Sequence, residues 1–322
     1  MKKNARNGFF TGRVENKMRL LVVEDEHSLR EDIARKLRLS GYEVDACADG
    51  EAALEALTAE RYGLVLLDLN LPEVDGMLGT GSYTDVASAV AELMEGERPE
   101  HFGDIHRTYE DGERMVTTPP YTAFLKIAEG CSNGCAFCII PKLRGRYRSR
   151  SMEALVEEAR GLAASGVKEL IVIAQDITRY GLDRKDGSTL AKLLDRLCEL
   201  DFHWIRLHYL YPEAVTDELI ETIARQPKIL HYLDIPIQHC NDAILKAMRH
   251  RNTRVEIEAL FAKLRKAMPD VVLRTSLICG LPGEGKAEFE ELCHFLREQR
   301  IQRAGVFQFS PEEGTLAAAM EG

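Results

Sequence analysis

The segment FLKIAEGCSNGCAFC, residues 124–138, joins an apolar run to three closely spaced cysteines. The run FLKIA has the composition of a buried strand, and Cys131, Cys135 and Cys138 follow it closely. Three thiolates at this spacing can bind three corners of an iron–sulfur cube and leave one iron open for a substrate or cofactor. A closed zinc site usually takes a fourth Cys or His, and no nearby histidine has the expected spacing. The segment therefore indicates a strand that leads into an iron–sulfur loop, with a zinc knuckle or a coincidental cysteine cluster as the alternatives.

Strand-like and helical stretches alternate from this segment to the end of the chain. The candidate strands are 123–128, 169–174, 203–208, 231–235, 271–277 and 303–309. The helical stretches between them are 151–165, 189–200, 215–225, 241–249 with 255–267, and 286–299. Six such units predict an α/β fold, a six-unit β/α barrel open on one side, with its site at the carboxyl ends of the strands. An open doubly wound sheet fits the alternation equally well, and the motifs at the strand ends favour the barrel.

The N-terminal part has a pattern of its own. Apolar runs at 19–23, 43–47 and 63–67 are separated by helical stretches at 27–39 and 50–60. This order predicts a parallel sheet in a flavodoxin-like, doubly wound half domain. Glu24 and Asp25 follow its first strand, and Asp68 follows its third. Three carboxylates converging at the carboxyl ends of the strands could hold Mg²⁺ beside a phosphoryl acceptor, and a solvated acidic edge is the structural alternative.

Composition and charge exclude several classes of protein. The 322 residues are 45% hydrophobic and 29% charged, which predicts two or three globular domains rather than a disordered chain. The net charge of -10 comes from the first 120 residues, because the rest carries 28 basic and 28 acidic side chains. Bulk charge therefore gives no strong nucleic-acid signal. The sequence has no membrane-spanning run, and the leader MKKNARNGFF lacks an apolar signal core, so we expect a cytoplasmic protein.

Eight cysteines are present, and a cytoplasmic chain is not expected to pair them in disulfides. Those outside the segment 124–138 are scattered. We expect these five to be buried small hydrophobic residues: Cys47, Cys198, Cys240, Cys279 and Cys293.

The spacing C-x₃-C-x₂-C, with an aromatic residue before the last cysteine, resembles the radical S-adenosylmethionine signature. Further segments are similar to the methylthiotransferases of the RimO type, over about residues 77–318. They are KIAEGCSNGCAFCIIPKLRGRYRSR (126–150), AQDITRYG (174–181), LHYLYP (207–212), YLDIPIQH (232–239), LRTSLICGLPGE (273–284) and FQFSPEEGT (307–315).

This resemblance implies a radical enzyme that adds a methylthio group to the β-carbon of an aspartate in ribosomal protein S-twelve. It implies one 4Fe-4S cluster on Cys131, Cys135 and Cys138, with S-adenosylmethionine bound at the open iron. Four further residues are implied to line the cofactor pocket: Gln175, Pro236, Gln238 and Arg274. The resemblance assigns no catalytic acid or base.

Two departures from that family affect the expectation. The family's N-terminal domain carries three more cysteines for a second cluster, whereas Cys47 is the single cysteine before Cys131, so the second cluster is predicted to be absent. The family's C-terminal TRAM domain has no counterpart before Gly322, and we expect the chain to be incomplete at both ends. The predicted domains are a disordered leader (1–17), a receiver-like half domain (18–76), a remnant of the family's first domain with a linker (77–120), and the radical SAM barrel (121–322).

The receiver resemblance is carried by LLVVEDE and LVLLDLNLPEVDG, over about residues 18–76. It places Asp68 at the phospho-acceptor position, with Glu24 and Asp25 as the acidic pair. A signalling module phosphorylated at Asp68 is therefore the alternative from another functional class. The family's later hydroxyl residue and lysine have no counterpart here, which counts against that function.

The nearest alternative enzyme is a tRNA adenosine methylthiotransferase of the MiaB type. That relative tends to have Gln-Asn where this chain has Gln175-Asp176, and Arg-Pro where this chain has Glu312-Glu313. Two carboxylates near the mouth of the barrel would repel phosphate and tolerate a basic ribosomal protein, which favours the RimO type.

Basic residues alternate at Lys142, Arg144, Arg146, Arg148 and Arg150. If this stretch is extended, all five side chains point to one side. A solvated face is one interpretation of the pattern. The other is a docking strip for an acidic, flavodoxin-like electron donor, because an iron–sulfur cluster must be reduced.

Overall fold

The computed structural model describes residues 19–24, 27–39, 42–60, 64–67, 76–107 and 118–320. Contacts divide the chain into two compact units. One contains the chain up to Leu78 together with Thr84–His101, and the other contains Gly79–Tyr83 and the chain from Phe102 onward. The predicted segment 77–120 is therefore shared between the two units.

The first unit is built on a parallel sheet with the order β2-β1-β3. Its strands are β1 (Arg19–Val23), β2 (Glu43–Cys47) and β3 (Leu64–Leu67), and its helices are α1 (His27–Leu39) and α2 (Gly50–Ala59). Alternate residues of β1 pack on opposite faces, with Leu20 and Val22 against Ala34 of α1, and Leu21 and Val23 against Ala53 of α2. This order and layering confirm the predicted flavodoxin-like half domain.

A helix and two short strands complete the first unit. They are β4 (Met77–Leu78), α3 (Val86–Met94) and β5 (Glu100–His101), with β4 and β5 paired in parallel. A short 3-10 turn at Tyr83–Asp85 precedes α3.

The second unit is a six-stranded parallel sheet. Its strands are β6 (Thr122–Lys126), β9 (Glu169–Ile173), β10 (Trp204–Leu207), β11 (Ile229–Asp234), β12 (Val272–Cys279) and β13 (Arg303–Gln308). They lie side by side in chain order. A doubly wound sheet needs a reversal of strand order, so this sequential order decides for the barrel over the open sheet. All six predicted strands are confirmed.

Helices connect these strands. They are α5 (Met152–Ala164), α6 (Leu190–Cys198), α7 (Asp217–Arg225), α8 (Asp242–Ala247), α9 (Arg254–Ala267) and α10 (Lys286–Glu298). Several begin at a residue whose side-chain oxygen accepts from the backbone of the first turn, among them Ser151, Thr189 and Thr253. One hydrophobic core joins sheet and helices, and Leu125, Leu170, Ile205 and Leu233 are fully buried in it. This packing fixes the strand ends from which the candidate site is built.

No helix in the described parts of the chain combines the length and the apolar character needed to cross a membrane.

Candidate active site

The three clustered cysteines lie on a loop whose two ends are paired. Short strands β7 (Ala128–Glu129) and β8 (Arg148–Ser149) form an antiparallel ladder at its base. The backbone N–H of Cys131 donates to the carbonyl of Gly145 at 3.1 Å. Gly130, with φ +77°, takes a left-handed conformation at the start of the loop, and a Cβ there would lie 2.3 Å from the Arg146 carbonyl oxygen. The ladder and this glycine fix where the loop leaves the barrel.

A small apolar cluster supports the loop at Ala136. The backbone N–H of Ala136 donates to the Met248 carbonyl at 2.9 Å, and its carbonyl accepts from Ala317 at 2.8 Å. Ala136, Met248 and Ala317 are buried together with Ile244 and Leu281. The middle of the loop is therefore held by residues far from it in sequence.

All three cysteines open on one cavity of about 430 Å³, which we call the cysteine cavity. Three of the four predicted cofactor residues, Gln175, Pro236 and Gln238, line it too, and Arg274 does not. Its size is ordinary for a small-molecule site. The remaining lining residues are Lys126, Asn133, Phe137, Ile140, Ile173, Ala174, Tyr209, Tyr211 and His250.

Without a bound cation, the three cysteines are protonated thiols at neutral pH. Burial raises the pKa of Cys135 to about 11, and it also raises the pKa of Cys131 and of Cys138. Metal binding would have to displace these protons, as it does at other thiolate sites. Within the described ranges, no three Cys, His, Asp or Glu side chains are grouped so that they could hold one metal ion.

Tyr211 and His250 contact the sulfur of Cys135, and no sequence pattern indicated a role for either. The Tyr211 hydroxyl lies 3.1 Å from the Cys135 Sγ and 3.0 Å from the His250 Nε2. Burial lowers the pKa of His250 to about 4, so its imidazole is neutral at physiological pH. Spacing could not have revealed this group, because its members come from the cysteine loop and from the segments that follow β10 and α8.

Asp176 ties the cysteine loop to the end of β9. Its carboxylate is fully buried and accepts from the Asn133 Nδ2 at 3.0 Å, the Thr178 backbone N–H at 3.0 Å and the Arg179 Nε at 3.1 Å. The Thr178 hydroxyl also bonds to it. Arg179 in turn pairs with Glu213 at 2.6 Å. Asp176 is thus committed to bonds within the protein.

Gln175 is oriented by a buried carboxylate. Glu129, 1% exposed, accepts from the Gln175 Nε2 at 2.9 Å and from the Gly130 N–H at 3.0 Å. Burial alone would raise the pKa of Glu129, but Lys126, the Gly130 N–H and Arg144 together hold it below its ordinary value. A carboxylate can accept but not donate, so the Gln175 amide must turn its nitrogen to Glu129. Its Oε1 is then left as a buried acceptor without a protein partner among the described residues.

Gln238 and Tyr209 line the cysteine cavity in a strained backbone conformation. Their φ angles are 63° and 65°, in the left-handed region that favours glycine. The Gln238 backbone is held there by two bonds to β12, one to the Ser276 carbonyl at 3.0 Å and one from the Ile278 N–H at 2.9 Å. Residues kept in such conformations concentrate at functional sites.

Arg274 is engaged with a protein carboxylate. Its guanidinium lies 2.7 Å from Asp234, which is 2% exposed, and it donates to the Ser276 hydroxyl at 2.7 Å. Burial would raise the pKa of Asp234, but bonds from His208 and Arg274 hold it below its ordinary value. The predicted role of Arg274 in pairing a cofactor carboxylate therefore stays a prediction.

A second cavity of about 420 Å³ shares a wall with the first. Cys138, Tyr209 and Gln238 line both. The second also includes residues of β13 and beyond, with Phe307, Phe309, Ser310 and Glu312 among them. We call it the C-terminal cavity.

The basic stretch from Lys142 to Arg150 is not one extended segment. Residues 140–144 are helical (α4, Ile140–Arg144), with Pro141 in the first turn, and Gly145, with φ 73°, redirects the chain before β8. Arg150 pairs with Glu158 at 2.7 Å. The stretch 142–150 is therefore not extended throughout, so the condition for one face with five cations is not met. The flavodoxin-like donor stays a prediction.

The receiver-like residues and the other cysteines give a mixed outcome. Glu24 follows β1 and is buried, whereas Asp25 and Asp68 lie outside the described residues, so the phospho-acceptor site stays a prediction. Of the five scattered cysteines, Cys198 and Cys240 are buried as expected. The expectation is wrong for Cys47, Cys279 and Cys293, which are half-buried. Cys47 is the last residue of β2 and Cys279 the last residue of β12, where each strand leads into a loop.

Two family profiles match the chain. The radical SAM superfamily profile matches residues 125–296, and the response regulator receiver domain profile matches residues 20–82. The chain belongs to the radical SAM superfamily. The radical SAM match starts inside β6 and ends inside α10, and it includes the cysteine loop.

Curated relatives extend the similarity of this radical SAM chain. The "ribosomal protein uS12 methylthiotransferase RimO" of Caldanaerobacter subterraneus subsp. tengcongensis is 48% identical over 265 residues, which cover 82% of this chain and 60% of the relative. The protein of the same description from Clostridium tetani is 44% identical over 298 residues, which cover 92% of this chain and 66% of the relative. The chain thus spans about 60% of the length of the first of these relatives.

Solved structures are similar in fold. The radical S-adenosylmethionine methyltransferase TsrM from Kitasatospora setae, solved with cobalamin and a 4Fe-4S cluster bound, superposes with a TM-score of 0.58. The match covers 91% of this chain and 75% of TsrM at 14% identity, and it supports the partial barrel.

Proposed function

We propose that this chain carries the radical SAM core of a RimO-type methylthiotransferase, which modifies an aspartate of ribosomal protein uS12. The observation that carries the proposal is the cysteine cavity, because Cys131, Cys135 and Cys138 open on the same space as Gln175, Pro236 and Gln238. Relatives named RimO at 44% and 48% identity support the choice of reaction.

The residues of the cysteine cavity fit an iron–sulfur cluster and S-adenosylmethionine. Three thiols on one braced loop are the donor set for a cluster with one open iron. The buried Oε1 of Gln175 has no protein partner among the described residues and can accept from a ligand's ammonium or hydroxyl group. When bound, the cluster supplies the electron that cleaves a carbon–sulfur bond of S-adenosylmethionine.

The chain's own residues bind, orient and exclude water. The cysteine thiolates would hold the irons, and Glu129 would keep the amide of Gln175 turned toward the cofactor. Aliphatic and aromatic walls at Phe137, Ile140 and Ile173 would limit the access of water to the reactive species.

The C-terminal cavity is the proposed substrate site. It adjoins the cysteine cavity through Cys138, Tyr209 and Gln238, so a substrate side chain there would reach the cofactor. Glu312 on its wall would repel the phosphates of tRNA and tolerate a basic protein, which favours uS12 over the MiaB-type substrate. We further propose one cluster for this chain, a flavodoxin-like electron donor and a cytoplasmic location.

The test uses the chain with its cluster reconstituted anaerobically, reduced, and supplied with S-adenosylmethionine and sulfide. It is incubated in parallel with uS12 and with tRNA, and mass spectrometry locates any methylthio group. Modification of a uS12 aspartate supports the proposal. Modification of tRNA adenosine instead, or of neither substrate while S-adenosylmethionine is also left uncleaved, contradicts it.

A further inference from the structure

One cysteine of the loop has a side-chain hydrogen-bond partner that the function proposed above does not use. The Cys135 Sγ lies 3.1 Å from the Tyr211 hydroxyl, which lies 3.0 Å from the His250 Nε2. The same imidazole nitrogen is 3.7 Å from the sulfur. Tyr211 is 8% exposed and His250 is 9% exposed, so water competes little for these bonds. The three side chains form a hydrogen-bonded chain that ends on a sulfur atom.

The direction of the hydrogen bonds follows once Cys135 is a thiolate. A thiolate has no proton, so it can only accept, and the Tyr211 hydroxyl is the nearest donor. When the hydroxyl proton points to sulfur, the phenol oxygen is free to accept from an imidazole N–H of His250. Each bond then strengthens the other, as expected of a relay in a poorly hydrated site.

The relay is specific to one of the three cysteines. The Cys131 sulfur accepts from the Asn133 backbone N–H at 3.5 Å. Among the hydrogen bonds of the described residues, neither Cys131 nor Cys138 has a hydroxyl or imidazole partner of this kind. Tyr209, two residues before Tyr211, lines the same cavity, and no bond from its hydroxyl to a cysteine is present among those contacts. Tyr209 can therefore serve as a control for Tyr211 within the same cavity.

On the basis of the function proposed above, we infer that Tyr211, supported by His250, donates a hydrogen bond to the Cys135 thiolate and raises the reduction potential of the cluster. Reduction adds one electron and one negative charge to the cluster and its thiolates. A donor aimed at a ligand sulfur stabilises that added charge more than it stabilises the oxidised state. Tyr211 and His250 are therefore positioning residues that make the cluster easier to reduce by its electron donor.

The test is the Tyr211→Phe substitution, which removes one hydroxyl and keeps the ring. Iron per chain is measured first, and the midpoint potential is then determined by redox titration followed by electron paramagnetic resonance. We expect the iron content of the wild type and a midpoint potential shifted to more negative values. Tyr209→Phe is the matched control and should keep the potential of the wild type. An unchanged potential in a fully loaded Tyr211→Phe protein would overturn the inference.

A second variant covers the case in which Tyr211→Phe binds little iron. His250→Phe keeps the Tyr211 hydroxyl but removes the N–H that supports it, so the potential should shift in the same direction by a smaller amount. A loaded His250→Phe protein at the potential of the wild type would contradict the relay. A wild-type chain that takes up no iron would instead overturn the proposed function, and this inference with it.

Discussion

The side-chain amide of Asn133 donates to the carboxylate of Asp176 at 3.0 Å, and this bond ties the cysteine loop to the end of β9. Both oxygens of Asp176 are in use, because Thr178 bonds to one and Arg179 to the other. Asn133, between Cys131 and Cys135, is therefore anchored on a fully buried charge. Loop and barrel would move as one body around the cluster.

Asp176→Asn should loosen the cysteine loop. An amide presents two N–H donors where one oxygen now accepts, so Asn133, Thr178 and Arg179 cannot all keep their bonds. We expect faster loss of iron from the reconstituted protein in the presence of a chelator, followed by absorbance. Glu213→Gln alters Arg179 from its other side and is the control that should lose iron at the rate of the wild type. Equal rates for all three proteins would show that Asp176 does not hold the loop.

Two glycines of the loop predict a contrast in cluster binding. Gly130 and Gly134 both have positive φ angles, +77° and +72°, so alanine at either costs about 1–2 kcal/mol of backbone strain. At Gly130 the added Cβ would also meet the Arg146 carbonyl oxygen at 2.3 Å, whereas nothing lies within 4 Å at Gly134. Gly130→Ala should therefore bind far less iron than Gly134→Ala. Equal iron contents would be evidence against the loop geometry described here.

Glu129→Gln should weaken S-adenosylmethionine binding. A glutamine no longer forces the Gln175 amide to turn its oxygen outward, and losing one such oriented acceptor costs about 1.4 kcal/mol, or about tenfold in Kd. Equilibrium dialysis of the cluster-loaded protein measures the change. Glu158→Gln, which breaks the Arg150–Glu158 pair, is the control and should leave the affinity unchanged. An unaltered Kd for Glu129→Gln would argue that Gln175 is not a cofactor residue.

Asp234 makes stability depend on pH. The pKa of Asp234 in the folded protein lies below its ordinary value of about 3.9. Its contribution to the free energy of unfolding is therefore fully present above about pH 4 and is lost as the pH falls through the folded pKa. Asp234→Asn should lower the free energy of unfolding by about 3 kcal/mol at about pH 7, and by less at about pH 3. Urea titrations at both pH values measure this difference. Asp201→Asn, which breaks an exposed pair with Lys168, should have almost no effect at either pH.

Local sequence patterns were sufficient for the barrel strands and the cysteine loop. Runs such as ELIVI at 169–173 alternate with amphipathic helices, and no other element competes for the same residues. The strand order could not come from alternation, because a doubly wound sheet and a barrel share it. The pairing of all six strands in chain order settled that choice.

Contacts between residues far apart in the chain could not be predicted from the sequence. Tyr211 and His250 reach Cys135 across separations of 76 and 115 residues, and no spacing rule connects them. The basic stretch 142–150 begins in a helix for a local reason. Pro141 is well placed in the first turn of that helix, and the alternation of charges did not prevent the helix from forming. Arg274 could be placed within a strand, but its pairing with Asp234 depends on the register of β11 and β12.

The most direct test of the central claim is the iron and acid-labile sulfide content of the anaerobically reconstituted chain. We predict about four irons per wild-type chain, loss of the cluster in Cys131→Ala, Cys135→Ala and Cys138→Ala, and wild-type iron in the controls Cys198→Ala and Cys293→Ala. About eight irons in the wild type, or a full cluster in any of the three loop variants, would contradict a single cluster held by these cysteines.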